Sequence, residues 1–304
     1  MRVFPPEPAN LDWSTVTLTN LPQTNGHVEV HYSTSQQTWS TPQLVQNPYL
    51  RVHGLAPGLN YGQQCYEGMK AFRTQPGGQP ISSIHIFRPQ AHAARQRKSA
   101  ALVLLPQVPE DLFLECVRMA VAANAEFVPP DTGFLYLRPV LFGAGPQLTL
   151  RPPEDIIFAV YVAPLGGNYA PVWPFSAQAA KAGFALTLHL DSETRSSVEE
   201  FSTSGFVGLV ASDGKREVHV PDTPNAVRSV TSDSLLALAQ QQGWKVHREK
   251  ITFAGLDRFS QVFAVGTGAT TVPVRSITRP ATGEKYDFSP DGPGADLANK
   301  LLEV

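Results

Sequence analysis

Two segments of the 304-residue sequence have the residue types and spacing of an anion-binding turn. Thr231-Ser232-Asp233-Ser234 opens a predicted helix directly after a loop, and the free backbone N–H groups at a helix start favour an anion such as phosphate. Gly266-Thr267-Gly268 follows an apolar run and is a turn of small residues. Helix capping by Thr231 or Ser232 is the more common explanation of the first segment, and a plain tight turn is that of the second. The residue types alone leave both segments open between a phosphate site and local structure.

Charged and imidazole side chains could also take part in chemistry. Arg95 lies in a predicted helix and Glu200 in an acidic segment, and taken alone each of them is more commonly a solvated surface residue than part of a site. His27 and His31 could share one face of a strand, but no third ligand is near them in the sequence. Because a protein metal site needs three or four ligands, we do not expect one there. None of these residues defines a reaction by itself.

Composition excludes several classes of protein. The chain has 24 Lys and Arg against 26 Asp and Glu, and this balance gives no basic excess for binding nucleic acid. No apolar stretch reaches the roughly 18 residues of a membrane helix. The proline-rich start lacks the apolar centre of a secretory signal. Cys65 and Cys116 form no metal or redox motif, so we expect reduced thiols in a cytoplasmic protein.

A mixed α+β fold is predicted to position these groups. Alternating and continuous apolar runs predict strands, and 3.6-residue periods predict helices. The predicted strands are 79–88, 133–142, 155–162, 184–190, 206–211, 217–220 and 259–265, and the predicted helices are 91–105, 109–123, 175–182 and 231–242. A loop rich in Pro and Gly near 164–172 predicts two domains, 1–164 and 165–304.

Six sequence blocks keep the order and spacing of a known family. The first three are YGQQCYEGMKAFR at 61–73, FRP at 87–89 with Arg95 and Ser99-Ala100 after it, and LYLRP at 135–139. The others are GGNYAP at 166–171 followed by LHLD and VEE, VTSDSL at 230–235, and the segment 263–274. Together they resemble the branched-chain amino acid aminotransferases, which are fold-type-IV pyridoxal-phosphate enzymes.

The resemblance implies a two-domain α+β fold and pyridoxal 5'-phosphate as the cofactor. The cofactor-binding positions that it implies are Arg95, Tyr169, Glu200, Val230, Thr231 and Thr267. Among these, Glu200 would face the pyridine nitrogen, Tyr169 would hydrogen-bond the ring hydroxyl, and the others would surround the phosphate. The substrate-binding positions that it implies are Tyr61, Tyr66, Tyr136, Arg138 and Thr203. No metal is implied.

One position departs from the family pattern where catalysis depends on it. The family has a lysine two residues before the Gly-Gly of its GGNY block, and that lysine bonds the cofactor and carries a proton. Pro164 occupies this position, and no other lysine is a shifted copy of it. Residues 162–166 also resemble the end of the preceding family block, so we expect the second domain to lack one strand-plus-loop segment. We therefore assign no catalytic residue and expect at most non-covalent cofactor binding.

By resemblance, the expected function is transfer of an amino group between a branched-chain or other aliphatic amino acid and a 2-oxo acid, in specialised metabolism. The expected state is a cytoplasmic homodimer whose partners are small molecules. Two interpretations of the missing strand-plus-loop segment stay open. In one, the chain is a degenerate or incomplete aminotransferase. In the other it is complete, and the pocket serves a lysine-free isomerase or cyclase, or a non-catalytic partner subunit.

Overall fold

The computed structural model describes residues 4–302 with gaps at 14, 17–19, 75–82, 131–132, 150, 152, 166–178, 180, 212–213 and 268–269. The chain divides into two compact units, residues 1–168 and 169–304. The sequence-based boundary after residue 164 lies within a strand of the first unit that runs on to Leu165. Each unit has its own sheet and its own apolar core.

An eight-stranded antiparallel sheet forms the first unit. Its strands are β1 (His27–Ser33), β2 (Thr38–Trp39), β3 (Gln43–Val45), β4 (Gln64–Tyr66), β5 (Met69–Thr74), β6 (Ser83–Ile86), β7 (Phe134–Gly143) and β8 (Asp155–Leu165). The path through the sheet is β2-β1-β8-β7-β5-β6, with β3 paired to β1 and β4 paired to β7. The long apolar strands β7 and β8 lie in the middle, where burial of their side chains is greatest.

Three helices accompany this sheet, namely α1 (Pro57–Asn60), α2 (Pro89–Leu102) and α3 (Glu110–Ala123). On α3, Phe113, Cys116, Val117 and Ala120 follow the 3.6-residue period and are fully buried, so one face of the helix packs into the core. The ring of Phe113 lies 5.5 Å from the ring of Phe158 on β8. Cys65 and Cys116 are buried free thiols, as predicted.

The second unit is built on a five-stranded sheet. Its strands and helices are β9 (Leu188–Leu190), β10 (Val198–Phe201), β11 (Gly205–Val210), β12 (Glu217–Pro221), α4 (Val230–Gln241), β13 (Lys245–Glu249), β14 (Gln261–Gly266), β15 (Thr270–Pro273), β16 (Ser276–Arg279), β17 (Glu284–Asp287) and α5 (Pro293–Leu302). The sheet order is β13-β12-β11-β14-β15, and β12 runs parallel to β13 because α4 connects them. β9 pairs with β10 and β16 with β17 in two-stranded ribbons.

Most predicted elements are confirmed within one to three residues at each end. The predicted helices 91–105, 109–123 and 231–242 correspond to α2, α3 and α4, and five of the predicted strands correspond to β7, β8, β11, β12 and β14. The predicted strand 184–190 is shorter than expected, because only its last three residues pair as β9. Five of the eight residues of the predicted helix 175–182 lie outside the described residues.

The predicted N-cap of the fourth helix, Thr231 or Ser232, is wrong. The helix begins at Val230, and its N-cap is Ser229, whose hydroxyl accepts a hydrogen bond from the Ser232 N–H at 3.1 Å. Thr231 is buried instead of capping the helix. Three residues that commonly cap helices, Ser229, Thr231 and Ser232, occur within four positions here, so the sequence alone could not decide among them.

Candidate active site

Two predicted substrate residues, Tyr136 and Arg138, lie on one face of β7 because they are two residues apart on a strand. Arg138 Nη2 donates a hydrogen bond to the Tyr136 hydroxyl at 2.8 Å. The guanidinium carbon of Arg138 lies 4.7 Å from the centre of the Tyr66 ring and 5.3 Å from that of Tyr136. The structure therefore brings three of the predicted residues together, with a guanidinium among aromatic faces that suits a carboxylate.

Gly68 allows this cluster to form. A Cβ atom at this position would overlap the hydroxyl of Tyr136, which lies against the backbone there. Any larger residue at position 68 would force the side chain of Tyr136 to shift. The glycine of the YEG block is thus explained by the close approach of a tyrosine on the neighbouring strand.

Tyr61 has a different environment from the other predicted substrate residues. Its hydroxyl donates a hydrogen bond to the backbone carbonyl of Leu148 at 2.8 Å, and about half of its side chain is exposed. Its role in binding substrate stays a prediction.

Arg95 lies in a buried charged group of the first unit. It is three residues after His92 on α2, so both side chains leave one face of the helix. Arg95 Nε donates to Glu67 Oε1 at 2.7 Å, and Arg95 Nη2 contacts Glu67 Oε2. His92 Nδ1 lies 2.9 Å from Glu67 Oε2. The side chain of Glu67 is 1% exposed and that of Arg95 is 23% exposed.

The ionisation of Glu67 depends on these two partners. Burial by itself raises the pKa of a carboxyl, but the hydrogen bonds from Arg95 and His92 and their charges lower it more, and the pKa of Glu67 falls below its usual value. The guanidinium of Arg95 is thereby held in a fixed direction by a buried carboxylate. Sequence reasoning missed Glu67 and His92, although Glu67 belongs to one of the blocks that carry the resemblance.

Three chain segments of the second unit meet at one end of its sheet. β11 begins at Gly205 and its antiparallel neighbour β14 ends at Gly266, with Gly205 opposite Val265. A Cβ atom at Gly205 would lie 3.1 Å from the hydroxyl oxygen of Ser232, in the first turn of α4. A Cβ atom at Gly266 would lie 3.3 Å from Cβ of Ser204. The start of α4, Gly266 and residues 203–204 therefore lie close together at one end of the sheet, and we call this region the cup.

Several residues of the cup fit an anion. The hydroxyl oxygens of Thr203 and Ser204 are buried and have no hydrogen-bond partner among the described residues. Val230 and Thr231 are buried at the start of α4, and the N-terminus of a helix favours a negative charge. Thr267 directly follows Gly266 at the end of β14. A phosphate would give the hydroxyls of Thr203 and Ser204 an acceptor that the described residues do not provide.

Glu200 lies on β10, in the same unit. Its Oε2 accepts a hydrogen bond from the Val227 N–H at 3.1 Å. Burial raises the pKa of Glu200, and the hydrogen bond from Val227 opposes that rise only in part. A cationic group beside this carboxylate would be favoured, because it would offset the cost of burying the negative charge.

A cavity of about 280 Å³ opens beside the N-terminus of α4. Its lining is polar and of mixed charge, and includes Glu199, Gly205, Asp222, Arg228, Ser229, Ser232, Asp233 and Arg248. Gly205 and Ser232 belong to both the cavity and the cup, so the cup has open space next to it.

Pro164 and Tyr169 complete the predicted positions. Pro164 is buried near the end of β8, opposite Leu135 on β7, and so lies in the sheet of the first unit. Tyr169 lies outside the described residues.

No helix among the described residues is both long and apolar enough to cross a membrane.

Comparison with known proteins gives a consistent set of relatives. Residues 164–277 match the family model of amino-transferase class IV. The chain is 43% identical to aminotransferase poxL of Penicillium oxalicum, over 99% of this chain and 90% of that protein. It is 42% identical to branched-chain amino acid aminotransferase gloG of Glarea lozoyensis, over 94% of this chain and 88% of that protein. The alignment with the Penicillium protein runs over 334 positions, more than the 304 residues of this chain.

A solved structure has the same fold. The branched-chain amino acid aminotransferase of Thermobaculum terrenum in its PLP form superposes with a TM-score of 0.70 at 18% identity, covering 93% of this chain and 94% of that one. The predicted α+β architecture is thereby confirmed.

Proposed function

Because the chain belongs to the class IV aminotransferases, we propose that its site serves amino-group transfer between a branched-chain or other aliphatic amino acid and a 2-oxo acid. Pyridoxal 5'-phosphate is the cofactor of this chemistry and supplies an electron sink when it is bound. The names of two relatives, an aminotransferase and a branched-chain amino acid aminotransferase, support the reaction class. The cluster of Tyr66, Tyr136 and Arg138 supports a substrate that carries a carboxylate.

The observation that carries the proposal is the cup in the second unit. The backbone N–H groups of Val230 and Thr231 would hold the cofactor phosphate, together with the hydroxyls of Thr203 and Ser204, which have no partner among the described residues. Thr267 would complete that set. We thereby place Thr203 at the cofactor phosphate and not at the substrate, where the resemblance implies it. Glu200 would keep the pyridine nitrogen protonated, and its partly buried carboxylate would gain a cationic partner in return.

We further propose that this chain holds the cofactor without a covalent bond. Pro164 offers no amine, and its place in β8 supports an alignment of residues 162–165 with the end of the first domain of the family. An alignment longer than the chain itself supports the loss of an internal segment. A chain without that lysine would bind the cofactor and fail to turn over by the ordinary route.

Borohydride trapping tests the binding mode. The protein is incubated with pyridoxal phosphate, reduced, digested and mapped by mass spectrometry, and a parallel unreduced sample is dialysed. We expect cofactor absorbance that survives dialysis and no lysine labelled in stoichiometric yield. Pyridoxal without its phosphate is the control ligand and should be lost on dialysis. A stoichiometric label on any lysine would contradict the non-covalent mode.

Restoring the segment tests the reaction itself. The part of the Penicillium relative that has no counterpart in this chain is inserted between Leu165 and Gly166, and transamination of leucine with 2-oxoglutarate is measured. We expect a gain of about 10²–10⁴-fold over the unaltered chain, which is the usual contribution of a positioned acid–base group. The same insert with its lysine replaced by alanine is the control and should give no gain. Equal rates for the two inserts would refute amino transfer by this site.

The finer parts of the proposal follow from the resemblance, namely a cytoplasmic homodimer that acts in specialised metabolism. A carbonyl substrate turned over by the unaltered chain without added cofactor would instead support a lysine-free isomerase or cyclase. Absence of both activities, with cofactor still bound, would support a non-catalytic partner subunit.

A further inference from the structure

Two histidines and a glutamate converge on the five-stranded sheet of the second unit. Glu217 and His219 are two residues apart on β12, so both side chains lie on one face of the sheet. His247 on β13 is the register partner of His219. The two imidazole rings stack with their centres 4.6 Å apart and their planes 15° apart.

The hydrogen bond made by His219 fixes the protonation of its ring. Nδ1 lies 2.6 Å from Oε1 of Glu249, and an ionised carboxylate can only accept a hydrogen bond. Nδ1 therefore carries the hydrogen, and Nε2 presents its lone pair. Arg258 donates to the same oxygen of Glu249 at 2.7 Å, which holds that carboxylate in place. This is the arrangement in which an outer carboxylate orients a metal-binding histidine.

Two imidazole nitrogens and one carboxylate oxygen face one another at this point. Nε2 of His219 lies 3.5 Å from Oε2 of Glu217, and Nε2 of His247 lies 3.8 Å from the same oxygen. Both nitrogens are buried and have no hydrogen-bond partner among the described residues. The side chain of His219 is only 7% exposed, so it is largely shielded from bulk solvent.

The spacing of these atoms suits a tetrahedral metal ion. The three ligand atoms lie within 4.8 Å of one another. With bonds of about 2.0–2.1 Å, tetrahedral ligand atoms are about 3.3 Å apart, so the ligand atoms would have to approach one another by up to about 1.5 Å. At least one imidazole would also turn out of the stack, because each ring binds a metal through a lone pair in its own plane. Two imidazoles and one carboxylate favour zinc and its neighbours in the first transition series over magnesium or calcium.

We propose that Glu217, His219 and His247 bind one divalent transition-metal ion, of which zinc is the first candidate, and that Glu249 supports His219 from the outer shell. Glu217 and His247 are 23% and 39% exposed, which gives the ion a path from solvent and leaves its fourth position to water. β13 is the edge strand of its sheet, so the ion would tie that edge to β12. This site uses no residue of the cup and does not depend on the proposed amino transfer.

Isothermal titration of tag-free protein with zinc chloride, after treatment with a chelator and dialysis, tests the site. We expect one ion per chain. His247→Asn removes a partly exposed ligand from an edge strand and should abolish that binding while the protein remains folded, as judged by circular dichroism. Glu249→Gln should weaken affinity by about 10–100-fold, the usual effect of an outer-shell change. His31→Asn, on the sheet of the first unit, is the matched control and should bind zinc as the unaltered protein does.

Cobalt provides a readout that reports geometry. Replacing zinc with Co²⁺ should give the intense visible d–d bands of a four-coordinate site in the unaltered protein, and these bands should be absent from the His219→Asn and His247→Asn variants. Failure to bind zinc at micromolar concentration would overturn the proposal. Binding that persists unchanged in the folded His247→Asn variant would overturn it as well.

Discussion

Two buried polar groups, one in each unit, differ in how completely they are hydrogen-bonded. In the first unit, Glu67 is almost completely buried, but both of its oxygens are engaged by Arg95 and His92. In the second unit, the hydroxyls of Thr203 and Ser204 are buried with no hydrogen-bond partner in the described part of the chain. The charged group of Glu67 completes its polar contacts on folding, whereas the hydroxyls of Thr203 and Ser204 are left as donors for a ligand.

This difference separates groups that stabilise the fold from groups that bind. Breaking a buried ion pair by removing one partner costs about 3–5 kcal/mol of stability. Leaving a buried hydroxyl without a partner already costs roughly 1–3 kcal/mol in the folded state, so its removal costs little. Substitutions in the first group should therefore lower the free energy of unfolding, and substitutions in the second should lower ligand affinity.

The largest effect is expected for Glu67→Gln. The neutral amide keeps the shape of the side chain but leaves the buried parts of Arg95 and His92 without a counter-charge, so the free energy of unfolding should fall by about 3–5 kcal/mol. Urea denaturation near pH 7 measures this change. Glu115→Gln on the exposed face of α3 is the control and should change stability by less than about 0.5 kcal/mol. A loss as small as that of the control would mean that the group is not a stabilising one.

The loss of stability at low pH gives an independent check on the role of Glu67. Its folded pKa lies below that of the unfolded chain, so the unfolded chain binds more protons as the pH falls. Its contribution to stability is complete above the unfolded value of about 4.3 and is lost as the pH falls through the folded value. The Glu67→Gln variant should therefore lose less stability between pH 5 and pH 3, as a rough window, than the unaltered protein does.

Lys70 provides the next largest expected effect. It is a buried cation of the first unit, with Nζ 4.1 Å from the centre of the Phe134 ring, and burial lowers its pKa to about 8. The unfolded chain has a lysine pKa of about 10.4, so it binds more protons than the folded chain between about pH 8 and pH 10. The free energy of unfolding should therefore rise with pH across that window, by an amount on the order of 3 kcal/mol.

Lys70→Met should remove most of this alkaline rise, because methionine keeps the apolar stem and has no charge to desolvate. Urea denaturation at several pH values between 7 and 10 measures the slope. Lys98→Met on the exposed side of α2 is the matched control and should keep the rise. The proposed pKa of Lys70 would be wrong if the two variants showed the same slope.

Local sequence patterns predict those helices and strands whose signal is contained in their own residues. The period of apolar residues locates α3, and the long apolar runs locate β7 and β8, because each signal is contained in one segment. Strand β13 was not predicted. Its sequence, Lys-Val-His-Arg-Glu, is that of a polar edge strand, which lacks the apolar signal of a central one.

The sites are harder to predict because they join residues from distant segments. Glu67 and His92 meet across 25 positions, from the junction of β4 and β5 to a helix. His219 and His247 meet only through the parallel register of β12 and β13, which no local pattern encodes. The resemblance to a family located Arg95 and Thr203, but the pairing of Arg95 with Glu67 and the unpaired hydroxyl of Thr203 became visible only in three dimensions.

The smallest effect on stability, and the clearest effect on binding, is expected for Thr203→Val. Valine has the shape of threonine and removes the buried hydroxyl that lacks a partner, so the free energy of unfolding should stay constant or rise by up to about 1 kcal/mol. The hydroxyl is proposed to donate to the charged phosphate of the cofactor. Loss of one such bond should weaken pyridoxamine phosphate binding by about 10-fold.

Two measurements on the same samples test the Thr203 prediction. Urea denaturation gives stability, and quenching of protein fluorescence by pyridoxamine phosphate gives affinity. Thr278→Val on β16, away from the cup, is the control and should leave the affinity unchanged. If Thr203→Val lowered stability by several kcal/mol and left affinity unchanged, the hydroxyl would have a structural partner after all. The Thr203 hydroxyl would then be hydrogen-bonded within the protein, as Glu67 is, and the cup would lose its main support as a phosphate site.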